Sequence, residues 1–270
     1  MRQLLFSLLL PSFLLLTACT NHGEVISTDG STSMEKVMGA LIESYHVIEP
    51  SVTINHSGTG SGADIEAVLS GICDIGLSSR PLTESEIAQG AQAHLIALDA
   101  IAVILHPDNP ITNLTSQQIA QIFTGGVSSW SQLGGNETPI AVYGREAGSG
   151  TRRAFEDAIG IRDLCQHTNE YNASGDIVGN IASNPNGIGY VSLASINNRV
   201  KVVSIDSVAC SAETIFTGIY PLQRPFLMVT NAQTPLSPNA KLFLDYALSD
   251  RASSSIALAG VIPPTGISEN

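Results

Sequence analysis

Apolar and polar positions along the chain alternate between two periods. Apolar residues at Met34, Val37, Met38, Leu41, Ile42 and Tyr45 are spaced 3, 1, 3, 1, 3, which is one face of an amphipathic helix. Helical spacing recurs over Ala63–Ser70, Thr115–Phe123, Thr151–Ile159, Asp176–Ala182 and Pro238–Leu248. Thr83 with Glu86 three residues on reads as a capping box opening another helix. Between these lie short strand patterns at Glu24–Ser27, Ser51–Asn55, Cys73–Leu77, Ile140–Tyr143, Ile188–Ser192, Val200–Ser204 and Pro225–Thr230. Ile96–His106 is apolar almost throughout and reads as a strand buried on both faces, ended by Pro107 and Pro110. Strands that alternate with helices predict an α/β architecture with mainly parallel sheets.

The first segment stands apart from this pattern. Arg2 precedes the apolar run LLFSLLLPSFLLL, which is too short and Pro-broken for a stable membrane span and reads as an export signal. It ends Leu16-Thr17-Ala18-Cys19, a pattern that resembles the lipobox of bacterial lipoproteins. That resemblance implies a signal peptide at residues 1–18, lipid on Cys19, and a tether over 19–23. Cys19 is followed by Thr20-Asn21 rather than Asp, which leans towards the outer membrane where a cell has two. No later run is apolar for 18 residues, so the lipid is expected to be the sole anchor.

Composition narrows the function classes. The chain has 270 residues, 43% apolar and 13% charged, which excludes a disordered chain and allows two lobes with their own cores. The net charge of −12 and the lack of a basic cluster argue against nucleic acid and against docking on an anionic membrane. The six His residues show neither HxH nor HExxH spacing and no Cys pair is spaced CxxC, so no metal site is expected. With Cys19 lipidated, Cys73, Cys165 and Cys210 remain. The expectation is a Cys165–Cys210 disulfide with Cys73 buried in a strand.

Four strand-to-helix junctions share one chemistry: Gly30–Ser33, Ser57–Gly62, Ser78–Arg80 and Gly144–Thr151. Each is rich in Gly, Ser or Thr. In an α/β sheet such loops lie at the carboxyl ends of the strands, where ligands bind. A helix N-terminus offers unpaired N–H groups and partial positive charge, Gly lets an anion approach the backbone, and hydroxyls add donors. Arg80 and Arg145 sit at two of the junctions, and a guanidinium suits bidentate contact with a tetrahedral oxyanion. Taken singly, each hydroxyl is more simply an N-cap, SGTGSG a flexible turn, and Arg145 a surface residue paired with Glu146. SGTGSG lacks the Lys of a P-loop.

GSTSME (30–35), SGTGSGADIEAVLSG (57–71), CDIGLSSRPL (73–82) and GREAGSGTRRAF (144–155) resemble the PstS family, the phosphate-binding proteins of phosphate ABC importers. The segments at 119–135, 184–193, 220–231 and 260–264 fit as well, so the resemblance runs in order over residues 25–264. It implies the type II periplasmic binding-protein fold, two α/β lobes joined by two crossover strands near Leu98–His106 and Tyr220–Leu227. The first lobe would comprise 24–100 and 226–270, the second 101–225. It implies phosphate contacts at Thr32, Ser33, Ser61, Arg145, Ser149, Gly150 and Thr151. The family's Ser-Asp pair, whose Asp accepts the proton of hydrogen phosphate, reads Ser78-Ser79 here, with Arg80 beside it as a further cation or a surface residue. The implied partners are inorganic phosphate and ABC permease subunits, with no cofactor, no chemistry on the ligand, and a monomeric protein exported to the periplasm or cell envelope. Alternatives are another tetrahedral oxyanion (sulfate, molybdate or tungstate), a surface adhesin reusing the fold, or a secreted phosphatase or hydrolase. Against the last, neither Ser61 nor Ser149 sits in a Gly-x-Ser-x-Gly elbow.

Overall fold

A computed structural model describes residues 25–264. The expected export signal, Cys19 and the expected tether lie outside the described residues. The strands are β1 (Val25–Gly30), β2 (Thr53–Ser57), β3 (Ile75–Ser78), β4 (Ala91–Leu105), β5 (Asn113–Leu114), β6 (Ala141–Arg145), β7 (Asn169–Tyr171), β8 (Gly187–Ser192), β9 (Lys201–Val202), β10 (Ser204–Ile205) and β11 (Gln223–Asn231). The helices are α1 (Glu35–Ile48), α2 (Ala63–Leu69), α3 (Glu84–Ala88), α4 (Ser116–Phe123), α5 (Gly150–Ile159), α6 (Ser174–Ile181), α7 (Ala212–Phe216), α8 (Pro238–Ala247) and α9 (Ser253–Leu258). A 3-10 turn, Thr32–Met34, leads into α1. None of the described helices is long and apolar enough to cross a membrane.

One sheet runs through the molecule in the order β2-β1-β3-β11-β4-β8-β6-β7, with β9 beside β4. The outer strands are parallel, β2 and β3 to β1 and β7 and β8 to β6. The two long central strands run antiparallel to their neighbours, so the sheet is mixed rather than mainly parallel. The reason is topological: β4 and β11 link the two halves, and each must travel opposite to the βα units it joins. Residues Ala91 to Ala100 of β4 pair with β11, and Ile101 to Leu105 pair with β8. The switch falls between Ala100 and Ile101, opposite Gln223 and Ser192.

Strand alternation distributes the burial. On β4, Ile101, Val103 and Leu105 enter one core with Phe123, Trp130, Phe155 and Tyr190, while Ala102 and Ile104 face another with Ile177, Val178 and Ile181. On β11, Phe226 and Met228 pack with Met34, Met38 and Leu41 of the opposite half, while Leu227 and Val229 meet Ile65. On β4, Ile96 and Ala97 thus lie in the core of Met34 and Phe226, while Ala100 joins the core of Ile101, Val103 and Leu105. Burial of Leu, Ile, Phe or Met in these cores contributes about 1.5–3 kcal/mol each.

Several expectations shift by a few residues, and some fail. β4 begins five residues before the predicted Ile96, because Ala91–Leu95 pairs along β11 despite its polar positions. The segment predicted as one strand at Val200–Ser204 is broken into β9 and β10, which pair with different partners, β4 and β5. The helices at 212–216 and 253–258 and the strand at 169–171 are too short to show a period. The expected Cys165–Cys210 disulfide does not form: both Cys165 and Cys210 are free thiols. The two packed sulfurs have separate partners. Cys165 lies beside the Glu156 carboxylate, Cys210 beside the Tyr220 hydroxyl.

Burial pushes the Cys165 and Cys210 thiols up to about 12, so neither forms thiolate near neutral pH. Alkylation of the folded protein at pH 8 is therefore expected to be slow at both, and alkylation after denaturation without reductant should label both Cys165 and Cys210. Peptide mass spectrometry reads both outcomes, and a Cys165–Cys210 crosslinked peptide would refute the second.

Candidate functional site

The loops that follow β1, β3 and β6 and the glycine loop before α2 meet on one side of the β4–β11 crossing. Local hydrogen bonds set each in place. Asp29 accepts from the Ser57 and Thr59 hydroxyls, both at 2.8 Å, and the Gly60 N–H donates to the Gly30 carbonyl at 2.9 Å. These bonds pin the glycine loop onto the first loop. Gly60 itself has φ +99°, and a Cβ there would stand 3.3 Å from the Gly148 carbonyl oxygen.

The side chains then interlock across the junctions. Ser31 Oγ donates to Ser79 Oγ at 2.9 Å, and Ser79 Oγ lies 3.2 Å from Ser61 Oγ. The Ser79 N–H also donates to Ser61 Oγ at 3.2 Å. Ser33 Oγ lies 2.6 Å from Thr151 Oγ1 and 3.4 Å from Ser174 Oγ. All these residues are buried. Gly150 allows the closest approach: a Cβ there would fall 2.3 Å from Ser61 Oγ, 2.6 Å from Ser61 Cβ and 2.8 Å from Ser79 Oγ. The four junctions singled out in the sequence therefore converge, although Ser33 and Thr151 are 118 residues apart.

Helix starts point into this cluster. Neither the turn at Thr32–Met34 nor α1, α2 or α6 has a side-chain cap on its first N–H groups. Thr32 Oγ1 is buried with no hydrogen-bond partner among the described residues. Buried polar atoms are paired as a rule, so an orphan hydroxyl beside uncapped N–H groups indicates a binding role. Ser149 is different: its Oγ accepts from the Arg152 N–H at 3.3 Å and caps α5.

Arg145, at the end of β6, is 1% exposed. The Glu146 carboxylate takes it bidentately, at 3.1 Å from both Nε and Nη2. Carbonyls of Tyr171 and Asn172 accept from Nε and Nη2, and Ser174 Oγ from Nη1 at 3.1 Å. Among these bonds one Nη1 hydrogen keeps no acceptor, so Arg145 offers one N–H and its charge rather than a bidentate fork. The Arg145 backbone N–H donates to the Tyr190 hydroxyl at 3.3 Å, and Tyr190 stacks on Phe155 at 4.0 Å. The core thereby anchors the charged residue.

Arg80 does not join the cluster as a cation. Its guanidinium is gripped by Glu86 at 2.7 and 2.9 Å, with the remaining Nη hydrogens on the Pro81 and Ser61 carbonyls. Burial raises the Glu86 carboxyl, but the Arg80 and Thr83 donors outweigh it and hold the carboxyl below its usual range. Arg80 therefore buttresses the Ser61 backbone, and Glu86 serves both this pair and the capping box of α3.

A second buried guanidinium, which the sequence did not single out, borders the cluster. Arg224, 3% exposed on β11, stands opposite Asp99 of β4, with Nε 2.9 Å and Nη2 2.8 Å from Asp99 Oδ2. Its Nη1 donates to Thr151 Oγ1 at 2.7 Å and to the Ser79 carbonyl at 3.4 Å. Ser192 Oγ donates to the other Asp99 oxygen at 2.9 Å. Burial pushes the Asp99 carboxyl up and the Arg224 guanidinium down, and each partner's charge opposes the shift of the other. Arg224 lies within the segment 220–231, but an Arg inside an apolar strand carries no spacing that marks it as part of a site. Asp99 was missed for the same reason, and Ser174 because a lone serine at a helix start reads simply as a cap.

Replacing Arg224 with Ala would leave a fully buried, unpaired carboxylate. The expected loss is about 3–5 kcal/mol of folding stability. Urea unfolding of Arg224→Ala checks this, and a loss below about 1 kcal/mol would show that Asp99 finds water or another donor.

Comparison with known proteins identifies the family. Residues 18–251 match the family model described as the PBP superfamily domain. The chain is 26% identical to the phosphate-binding protein PstS of Borreliella burgdorferi over 97% of this chain and 99% of that one. It is 28% identical to PstS of Bacillus subtilis, over 97% and 94%. Among solved structures, a Clostridium perfringens protein described as a phosphate ABC transporter substrate-binding protein with bound phosphate superposes with a TM-score of 0.86. It is 36% identical and covers 89% of this chain and 99% of its own. An ABC-type phosphate transport receptor from Vibrio cholerae gives a TM-score of 0.75 at 32% identity, covering 88% and 100%. By these matches, and with its mixed sheet and two long crossing strands, the chain belongs to the PstS family of phosphate-binding proteins within the PBP superfamily.

Proposed function

We propose that this protein binds inorganic phosphate outside the cytoplasmic membrane and delivers it to the permease of an ABC importer, without chemistry on the ligand. The observation that carries the reading is the buried cluster in which Ser33, Ser61 and Ser79 meet Gly150 and Thr151 across the crossing strands. The ligand is held by Thr32, Ser33, Ser61, Ser79, Arg145, Ser149, Gly150 and Thr151, while Arg80 supports Ser61. Residues 24–100 with 226–270 form one lobe and 101–225 the other, consistent with the pairing switch of β4 at Ala100/Ile101. Lipid on Cys19 tethers the protein to the membrane, and it works as a monomer.

The mechanism is capture and closure. In the open state the helix starts and hydroxyls of each lobe face solvent, and the anion enters between them. Rotation about β4 and β11 brings Gly150 against Ser61 and removes the anion from water. Each charge-assisted hydrogen bond contributes about 1.5–3 kcal/mol, set against desolvation of the anion. The molecule's net charge of −12 does not prevent this, since exposed charges are screened over about 8 Å and the donors are in contact.

Selectivity depends on Ser79. A carboxylate at this position would repel sulfate, which has no proton to share. Ser79 Oγ already accepts from Ser31, so when its own hydrogen goes to Ser61 Oγ it has one lone pair to offer the P–OH group. Discrimination against sulfate is therefore expected to fall short of the roughly 10⁴-fold typical of sites built around a dedicated buried partner.

Three outcomes test this. Calorimetric titration of the soluble domain, stripped of anion by unfolding and refolding, should show phosphate binding at pH 7 and measurable sulfate competition. Undetectable phosphate binding would refute the reading. Arg145→Ala should weaken phosphate by about 2–5 kcal/mol, because the donors around it were arranged about a charge it balances. Native affinity in that variant would remove Arg145 from the site. Gly150→Ala should block closure, since its Cβ would fall 2.6 Å from Ser61 Cβ. In saturating phosphate, small-angle scattering should show contraction of the native protein and none of the variant.

A further inference from the structure

Two guanidiniums approach one serine through intermediate hydroxyls. Arg224 Nη1 donates to Thr151 Oγ1 at 2.7 Å, and Arg145 Nη1 donates to Ser174 Oγ at 3.1 Å. Both hydroxyls then converge on Ser33 Oγ, at 2.6 and 3.4 Å. Thr151, Ser174, Ser33 and both arginines are at most 3% exposed, so water does not compete for these bonds.

A guanidinium only donates, so one lone pair on each of Thr151 and Ser174 is taken. Accepting from a cation polarises the O–H bond and strengthens it as a donor in turn. The two polarised hydroxyls have one neighbour in common, Ser33 Oγ. A hydroxyl oxygen has two lone pairs and one hydrogen. When both lone pairs accept, the hydrogen must point elsewhere.

We propose that Arg224 and Arg145 act through Thr151 and Ser174 to make the Ser33 hydroxyl a dedicated donor to the bound anion. Arg224 is then a positioning residue of the phosphate site that touches no ligand atom, and Asp99 holds it in register from the neighbouring strand. The inference rests on the phosphate reading above and adds a direction to its hydrogen bonds. Ser33 presents its hydrogen, not a lone pair, and so favours an unprotonated phosphate oxygen at that position, while the Thr151 and Ser174 hydroxyl hydrogens are spent on Ser33. The P–OH group is left to Ser79.

A double-mutant cycle tests this. Arg224→Lys keeps a charge beside Asp99, but one ammonium cannot span Asp99 and Thr151 as the guanidinium does. It should weaken phosphate about tenfold in calorimetric titration, roughly the loss of one net hydrogen bond. Ser33→Ala should weaken it at least as much. In the Ser33→Ala background, Arg224→Lys should cause little further loss, because the chain through which it acts is gone. Losses that multiply to about a hundredfold would overturn the proposal and leave Arg224 a purely structural residue. Asp99→Asn with Arg224→Gln removes both buried charges together and replaces Arg224→Lys in the cycle should that variant fail to fold. If the native protein binds no phosphate, the phosphate reading falls, and the same cycle run on ligand-free unfolding midpoints decides the relay alone. Additive shifts there overturn it and sub-additive shifts support it.

Discussion

The contact on which the rest depends is the ion pair between Asp99 and Arg224, placed directly opposite each other on the two strands that cross the molecule. It sits one residue before β4 leaves β11 for β8. A buried pair is seldom a net source of stability, because desolvation of both charges consumes the Coulomb gain. Its value lies in geometry. The carboxylate is held by Ser192 from β8 as well as by Arg224, and the guanidinium reaches on to Thr151 and the Ser79 carbonyl. One pair thus ties together β4, β8, β11, the start of α5 and the loop after β3. Losing either partner would strand a charge in a place that water does not reach.

The charge pattern of the site follows from that arrangement. Each buried guanidinium already has a carboxylate: Arg224 has Asp99, and Arg145 has Glu146. The two pairs are therefore close to neutral, and the donors that remain in the cluster are uncapped N–H groups and hydroxyls. Such donors stay aligned without reorganising. A free cation in the same place would gain more from the anion but would be expensive to bury without it. Neutral pairs with directed hydrogen bonds keep the donors of the cluster in place at a lower burial cost.

The aromatic core also reaches the site. Tyr190 stacks on Phe155, and its hydroxyl receives the Arg145 backbone N–H. Gly144, next to Arg145, lies so close to His167 that a Cβ would fall 2.1 Å from the imidazole Nε2. The end of β6 is wedged between a stacked ring pair and an imidazole, so a residue carrying charge into the cleft stands on a rigid base.

The sequence alone determined the elements that local periodicity and capping specify. The helical face from Met34 to Tyr45, the doubly buried strand through Ile101–Leu105 and the Thr83–Glu86 capping box depend on interactions within a few residues, and all are present. The Gly, Ser and Thr junctions were legible too, because a helix start needs donors or caps whatever its partners. Tertiary structure decided the pairings between distant residues. It gave Arg80 to Glu86 and set Arg224 beside Thr151, and it separated Cys165 from Cys210 by giving each its own polar neighbour. Nothing local distinguishes Arg224 from any other strand residue. Its role arises only where two strands far apart in the chain come within 3 Å, and the direction of that contact is a property of the fold.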